Sequence, residues 1–263
     1  MAGRRNRTSI AFVLLALVAG ACGDSGDRVA ATMKGRTFLS ESVTVQGQPR
    51  PLLPATQVRI TFSTDGRITA SAGCNLLSGT VRTEDDHLVI ADLASTEMGC
   101  DPARHVQDEW LSSVLVTNPT FAIDGAQLEL RSGDTVLRLL DRAVADPDRP
   151  LQATVWVLDG LIDGAIASSI PAGASATMIF DGTQMSVEID SCNQIAGRVK
   201  VTTATIEFDV DGVDTTDIAC NGPAAALEAA ILAVLDGKIT YDIEAASLRL
   251  LRPNGKGLTL RAQ

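Results

Sequence analysis

Apolar and polar positions alternate along most of the chain. Val58, Ile60 and Phe62 alternate with Arg59 and Thr61, the period of a strand with one buried face. Thr64-Asp65-Gly66 is a hairpin turn signal, and Ile68 and Ala70 carry the alternation on toward Cys74. Val81, then Leu88 and Ile90, predict short strands around the acidic turn Glu84-Asp85-Asp86. After Cys100 the period changes. Asp101 is placed to cap a helix and Pro102 suits its first turn, with Val106, Trp110, Val114 and the neighbouring Leu111 and Leu115 on the expected apolar stripe. Asn118-Pro119 stops that helix. Phe121 and Ile123, Asp124-Gly125, then Leu128 and Leu130 predict a hairpin, and Val136, Leu137 and Leu139 a closing strand.

The pattern then repeats. Residues 141–150 are charged and proline-bearing, a linker signature, and the linker is placed at 142–149. Beyond it Trp156 matches Phe38, Phe180 matches Phe62, Cys192 matches Cys74 and Gly197 matches Gly79, all at an offset of 118 residues. Past a two-residue insertion the offset becomes 120, pairing Cys220 with Cys100, Leu235 with Leu115, and Leu248 and Leu250 with Leu128 and Leu130. A second helix follows Asn221-Gly222-Pro223, with Leu227, Ile231, Val234 and Leu235 on its stripe. Register kept over about a hundred residues points to an internal duplication. The expected α+β architecture is therefore two domains of one fold, at 36–141 and 150–263.

The N-terminus stands outside that fold. Arg4, Arg5 and Arg7 precede an apolar run from Ile10 to Val18, and Ala19-Gly20-Ala21 leads directly into Cys22. The run is short of the roughly 20 residues a membrane span needs, so 1–21 is expected to be a signal peptide. The small residues before Cys22 resemble a lipobox, with Ala19 where leucine is preferred. Cys22 is accordingly the expected lipid-attachment site, and 22–35 a lipidated tether holding the body at a membrane. That places the chain on the extracytoplasmic face of the cell envelope.

Charge narrows the partners. The chain carries a formal net charge of −10, and without the three arginines of 1–21 the remainder carries −13. An acidic body repels phosphate backbones, so no nucleic-acid partner is expected.

Cys74, Cys100, Cys192 and Cys220 fall two to a repeat, and with Cys22 they account for all 5 cysteines. In an exported chain such cysteines are most simply disulfides. A duplicated domain should carry its own bridge, which selects Cys74–Cys100 and Cys192–Cys220. Zinc would need further ligands at short spacing, and His87 and His105 are the only histidines, both in the first repeat. A catalytic thiol would need a partnered histidine or a Cys-x-x-Cys pair in both copies. No metal, cofactor or catalytic residue is expected.

Other residues recur beside the cysteines. Asn75 and Asn193 fit an Asx-type turn or backbone cap better than a ligand-facing amide. Gly79 and Gly197 fit a positive φ or a bulge. Thr96 and Thr216 are either buried hydroxyls bonded to backbone near the helix start or functional hydroxyls. The acidic run Phe208 to Asp214 lacks the glycine position and terminal glutamate of an EF-hand, and reads as a solvated hairpin between strands. Trp110 and Trp156 read as core aromatics.

Gly73-Cys74-Asn75-x-x-x-Gly79, Thr96-x-Met98-Gly99-Cys100, the helix and the Leu128-x-Leu130 strand together resemble the META domain of HslJ-like heat-shock lipoproteins. The second copy keeps Trp156, Phe180, Cys192-Asn193, Gly197, Thr216, Ala219-Cys220 and Leu248-x-Leu250. It departs in Ser191, which replaces the glycine before the cysteine; Glu97 and Asp217 stand where a basic residue is common. The resemblance implies two tandem META domains, each a strongly curved, barrel-like antiparallel sheet with one helix. Family members are linked to heat shock and antibiotic tolerance, and the resemblance brings no enzymatic activity. The functional expectation is a non-enzymatic envelope protein acting by binding, on an envelope protein or other partner, in envelope maintenance or stress tolerance. The alternative is a carrier holding an apolar ligand, such as a lipid tail, between helix and sheet.

Overall fold

A computed structural model describes residues 31–263. Cys22, the signal peptide 1–21 and most of the tether lie outside the described residues. In the first repeat the strands are β1 (Arg36–Val45), β2 (Gln48–Pro49), β3 (Arg59–Phe62), β4 (Arg67–Ser71), β5 (Leu77–Glu84), β6 (His87–Ser95), β7 (Thr120–Asp124), β8 (Gln127–Ser132) and β9 (Thr135–Asp141). Helix α1 (Pro102–Leu115) joins β6 to β7, and a short α2 (Arg142–Ala145) follows β9. The second repeat holds β10 (Trp156–Asp163), β11 (Ile166–Ser169), β12 (Ala176–Asp181), β13 (Gln184–Ile189), β14 (Gln194–Val201), β15 (Thr205–Thr215), α3 (Gly222–Leu232), β16 (Lys238–Glu244), β17 (Ser247–Leu251) and β18 (Lys256–Ala262).

Each repeat closes on itself. The first sheet runs β1-β3-β4-β5-β6-β7-β8-β9 and closes through a β1–β9 pairing, with β2 added on β1. The second runs β10-β12-β13-β14-β15-β16-β17-β18 and closes through β10–β18, with β11 added on β10. These are eight-stranded antiparallel barrels, and closure pairs the first and last strands, which an open sheet would leave as edges. Alternation does what it predicts: in β12 and β13 every second residue is buried, so Met178, Phe180, Met185 and Val187 point inward.

Buried apolar side chains point into both barrels. Trp156 is fully buried and donates its indole N–H to the carbonyl of Leu151 at 3.1 Å, satisfying its one polar group. Phe38 takes the matching buried position in the first barrel. The core begins earlier than the expected boundary at 36. Met33, placed in the tether by sequence, is fully buried, and the N–H of Gly35 bonds to Phe62.

Helix α1 follows its cap more closely than its stripe. Asp101 accepts from the N–H of Arg104 and caps α1, with proline in the first turn as expected. Its buried face, however, is Gln107, Asp108, Leu111, Val114 and Leu115, while Val106 is 60% exposed. The expected stripe is thus rotated, because two polar side chains turn inward to bond backbone. Trp110 is correspondingly half-buried instead of core, with the Arg50 guanidinium 4.0 Å above its ring. Burial there pulls the Arg50 pKa down. In α3 and the turn that follows it the stripe holds: Leu227, Ile231, Val234 and Leu235 are all buried.

The acidic run is a second correction. Phe208 to Asp214 lies inside strand β15 instead of forming a hairpin. Against β14, Val199 pairs with Phe208 and Gly197 with Val213, so the residues between them bulge. In the first barrel Ser78 pairs with Ala94 and Thr80 with Ala91, a smaller bulge at the same place. The two-residue insertion between the repeats is therefore absorbed in this bulge, where Asp92 and Gly212 both hold a positive φ.

Candidate functional site

The recurring motif residues meet where β5 or β14 begins and the loop after β6 or β15 turns toward the helix. Cys74–Cys100 and Cys192–Cys220 are both bonded, spanning 26 and 28 residues. Each bridge ties the segment before β5 or β14 to the residues just ahead of α1 or α3.

Beside each bridge sits a buried asparagine. The Oδ1 of Asn75 accepts from the N–H of Met98 at 2.8 Å and from the Thr96 hydroxyl at 3.2 Å. Thr96 in turn accepts from the N–H of Leu76 at 3.0 Å, and its own N–H donates to the carbonyl of Leu76. The second barrel repeats this bond for bond. Asn193 accepts from Ile218 N–H and from the Thr216 hydroxyl, both at 2.8 Å, while Thr216 accepts from Gln194 N–H at 3.0 Å. A primary amide suits the task because its oxygen has two lone pairs and its nitrogen two protons. Thr96 and Thr216 are exposed as residues, and both hydroxyls are engaged with backbone and amide.

The amide nitrogens find different partners. Asn75 Nδ2 lies 3.3 Å from His105 Nδ1, whereas Asn193 Nδ2 donates to Glu228 Oε1 at 2.9 Å and to the carbonyl of Ile218 at 3.2 Å. Glu228 repeats Asp108 at the offset of 120. Asp108 is 3% exposed and accepts from the N–H of Asn75 at 2.7 Å and of Ala72 at 3.3 Å. The acid on the helix is thus a member of the brace in both barrels. Sequence reading missed it, although the repeat register held the signal.

The glycines act through space. Neither Gly79 nor Gly197 has a positive φ. A Cβ on Gly79 would lie 2.7 Å from the carbonyl oxygen of Ala91, and one on Gly197 would lie 2.8 Å from Val213 Cγ1. Both sit opposite the bulge, where the bulged strand presses close. Before the cysteines the backbones differ: Gly73 has φ +135°, where Ser191 is left-handed at φ 56°. A Cβ on Gly73 would meet Thr56 Cγ2 at 2.6 Å.

The brace spends its polar atoms inward and presents a loop outward. Met98 is 55% exposed, and its counterpart Ile218 is exposed as well. In the first barrel a groove of about 610 Å³ runs between this loop and α1, over Asn75 and Leu77. Cys192, Cys220 and Glu228 have ligand-type atoms close together, but the two sulfurs are joined to each other and unavailable to a metal.

The META domain family model matches residues 31–143 and 149–263. Among solved structures the chain is similar to a protein solved by NMR at 25% identity, over 42% of this chain and 92% of that one, with a TM-score of 0.35. It is also similar to an NMR structure of a protein from Burkholderia xenovorans at 14% identity, over 54% and 98% of the two chains, with a TM-score of 0.38. A DUF4847 family protein from Bacteroides vulgatus ATCC 8482 is similar at 16% identity, over 43% and 96%, with a TM-score of 0.32. No curated protein matches the chain. With a duplicated barrel, a duplicated disulfide and a family match over both copies, the chain belongs to the META domain family, which it carries as two tandem domains.

Proposed function

We propose that this is an extracytoplasmic envelope protein, held at the membrane by lipid on Cys22, whose two META domains act by binding in envelope maintenance or stress tolerance. The observation that carries the reading is the duplicated brace. Its cysteines are spent in disulfides and its amides and hydroxyls in holding a loop, so the motif supplies a rigid, exposed loop and no reacting group. Two intact disulfides also suit an oxidising compartment.

The carrier reading has less support. In the second barrel, the space a lipid tail would take between helix and sheet is filled by Leu227, Ile231, Val234 and Leu235, packed into one apolar cluster with the barrel interior. Native mass spectrometry of protein taken from its own membrane checks the point, with no co-purifying lipid as the expected result.

The main test is deletion of the gene followed by heat, detergent and antibiotic challenge. Loss of tolerance to at least one is expected, and an unchanged response to all of them would refute the role. Cys22→Ser should move the chain from the membrane fraction to the soluble one.

A further inference from the structure

We propose that the groove on the first barrel is a docking site for an extended polypeptide segment that alternates apolar and basic side chains. The inference deepens the binding role proposed above and rests on it.

The groove exists because β6 outruns its neighbour. Among the described residues β6 and β7 share one register pair, His87 with Thr120, and the Asn118 side chain takes the N–H of Ile90 at 2.9 Å. Past that point β6 continues to Ser95 with β5 on one side, and its last residue, Ser95, lines the groove opposite α1. Thr96 N–H points to Leu76 on the β5 side. Backbone direction alternates along an antiparallel strand, so the N–H and C=O of Ser95 face away from β5, toward the groove it lines. A strand lying there could add to that edge, with its alternate side chains directed down to Leu77 and out toward solvent.

Charge selects the occupant. Glu97 stands on the loop wall and Glu109 on the helix wall, both exposed. Asp108 lies deeper, with both carboxylate oxygens taken by backbone N–H groups. His105 is the one lining residue that can carry positive charge. Exposed Met98 and Val116 offer apolar contacts on the two walls. A neutral-to-basic strand suits this lining. The chain itself does not, since its body beyond residue 21 carries a net charge of −13, and an anionic lipid surface is repelled for the same reason.

The test uses the full exported chain in detergent and three fluorescein-labelled octapeptides, followed by anisotropy at low and physiological salt. One alternates valine and lysine, one alternates valine and glutamate, and one has the lysine sequence with prolines at two central positions. The valine–lysine peptide should bind, with affinity falling as salt rises, and each of the others should bind at least tenfold more weakly. The double variant Glu97→Lys/Glu109→Lys, altered only at exposed positions, should lose binding of the lysine peptide by a similar factor. Equal binding of the lysine and glutamate peptides, no binding of any peptide, or indifference to the double variant would overturn the proposal. The wider role is read separately. If the deletion strain shows a phenotype that the double variant rescues fully, the groove is refuted while the binding role stands; if the deletion strain shows none, the binding role itself falls.

Discussion

Asn75, a residue only 6% exposed, holds the backbone N–H of Met98 at 2.8 Å. The bond joins two segments that the disulfide also joins, and it recurs between Asn193 and Ile218. Bridge and amide therefore fix one loop twice. Removing the amide breaks two partly buried hydrogen bonds in each barrel, one from a backbone N–H and one from a threonine hydroxyl, which together cost about 1–3 kcal/mol. Asn75→Ala and Asn193→Ala should each lose stability in that range, measured by urea unfolding. The aspartates should separate the barrels. Asn193→Asp sets a carboxylate against Glu228, where Asn75→Asp faces His105, so the second-barrel variant should lose more at neutral pH.

Gly79 and Gly197 look equivalent in sequence and are not equivalent in cost. The atom a new Cβ would strike is a backbone carbonyl in the first barrel and a valine methyl in the second. A side chain can turn aside and a paired strand cannot. Gly79→Ala should lose about 2–3 kcal/mol and Gly197→Ala less, within the usual range for overpacking. Adding Val213→Ala should restore part of the Gly197→Ala loss, and a double-mutant cycle in urea measures that coupling.

Much of this fold is written in apolar spacing. The alternation from Val58 to Ala70 and the cap at Asp101 signal the structure that forms, since strand period and capping are local properties. The disulfides and the tandem domains follow from the repeat register. What spacing does not show is where a polar residue turns inward. Gln107 and Asp108 look like a solvated face, yet loop backbone from distant segments needs them, and α1 rotates Val106 out to let them in. The acidic run in β15 misleads for a related reason: a bulge lets a strand continue through residues whose charge and glycine look like a turn. The groove was also illegible, because it arises where β6 runs past β7.

Reduction should act on both barrels at once. A bridge closing a loop of this size contributes about 3–4 kcal/mol in the chain-entropy model. Cys74→Ala/Cys100→Ala and Cys192→Ala/Cys220→Ala should each lower the unfolding midpoint, and dithiothreitol should lower it further than either pair. The bonds that each asparagine oxygen accepts involve no sulfur and remain when the bridge is removed, so both variants should still fold, as far-ultraviolet circular dichroism would show.

Asp148 introduces a pH dependence. The hydrogen bond from Arg142 holds its carboxyl below the ordinary 3.8, helped by the N–H of Ala245 at 2.7 Å and opposed by partial burial. A carboxyl depressed in the folded state adds stability above its unfolded pKa and loses it as pH falls through the folded value. The Arg142 side shifts upward, so it stays charged throughout the accessible range. Asp148→Asn should therefore be less stable than the parent at pH 6, and the two should converge as the pH drops below 3.8. The carboxylate is 45% exposed, so the gap should be small and should shrink in high salt. Thermal melts across that pH range would show it.

Gln107 and Leu227 occupy the same place in the two helices, at the offset of 120, and each is right only in its own barrel. Gln107 Oε1 accepts from the N–H of Leu53 at 2.8 Å, and its Nε2 donates to the Thr56 hydroxyl at 2.8 Å and to the carbonyl of Ala72. Replacing it with leucine strands those groups in a buried site, at about 1–3 kcal/mol. Leu227 is fully buried in the apolar cluster of the second barrel. Replacing it with glutamine buries an amide among side chains that offer it nothing, again a loss of about 1–3 kcal/mol by mutational scales. Both Gln107→Leu and Leu227→Gln should therefore lower stability in urea unfolding, although each installs the residue its sister domain uses. A neutral result for Gln107→Leu would mean that water or a shifted loop satisfies Leu53, and hydrogen exchange at that amide would reveal it.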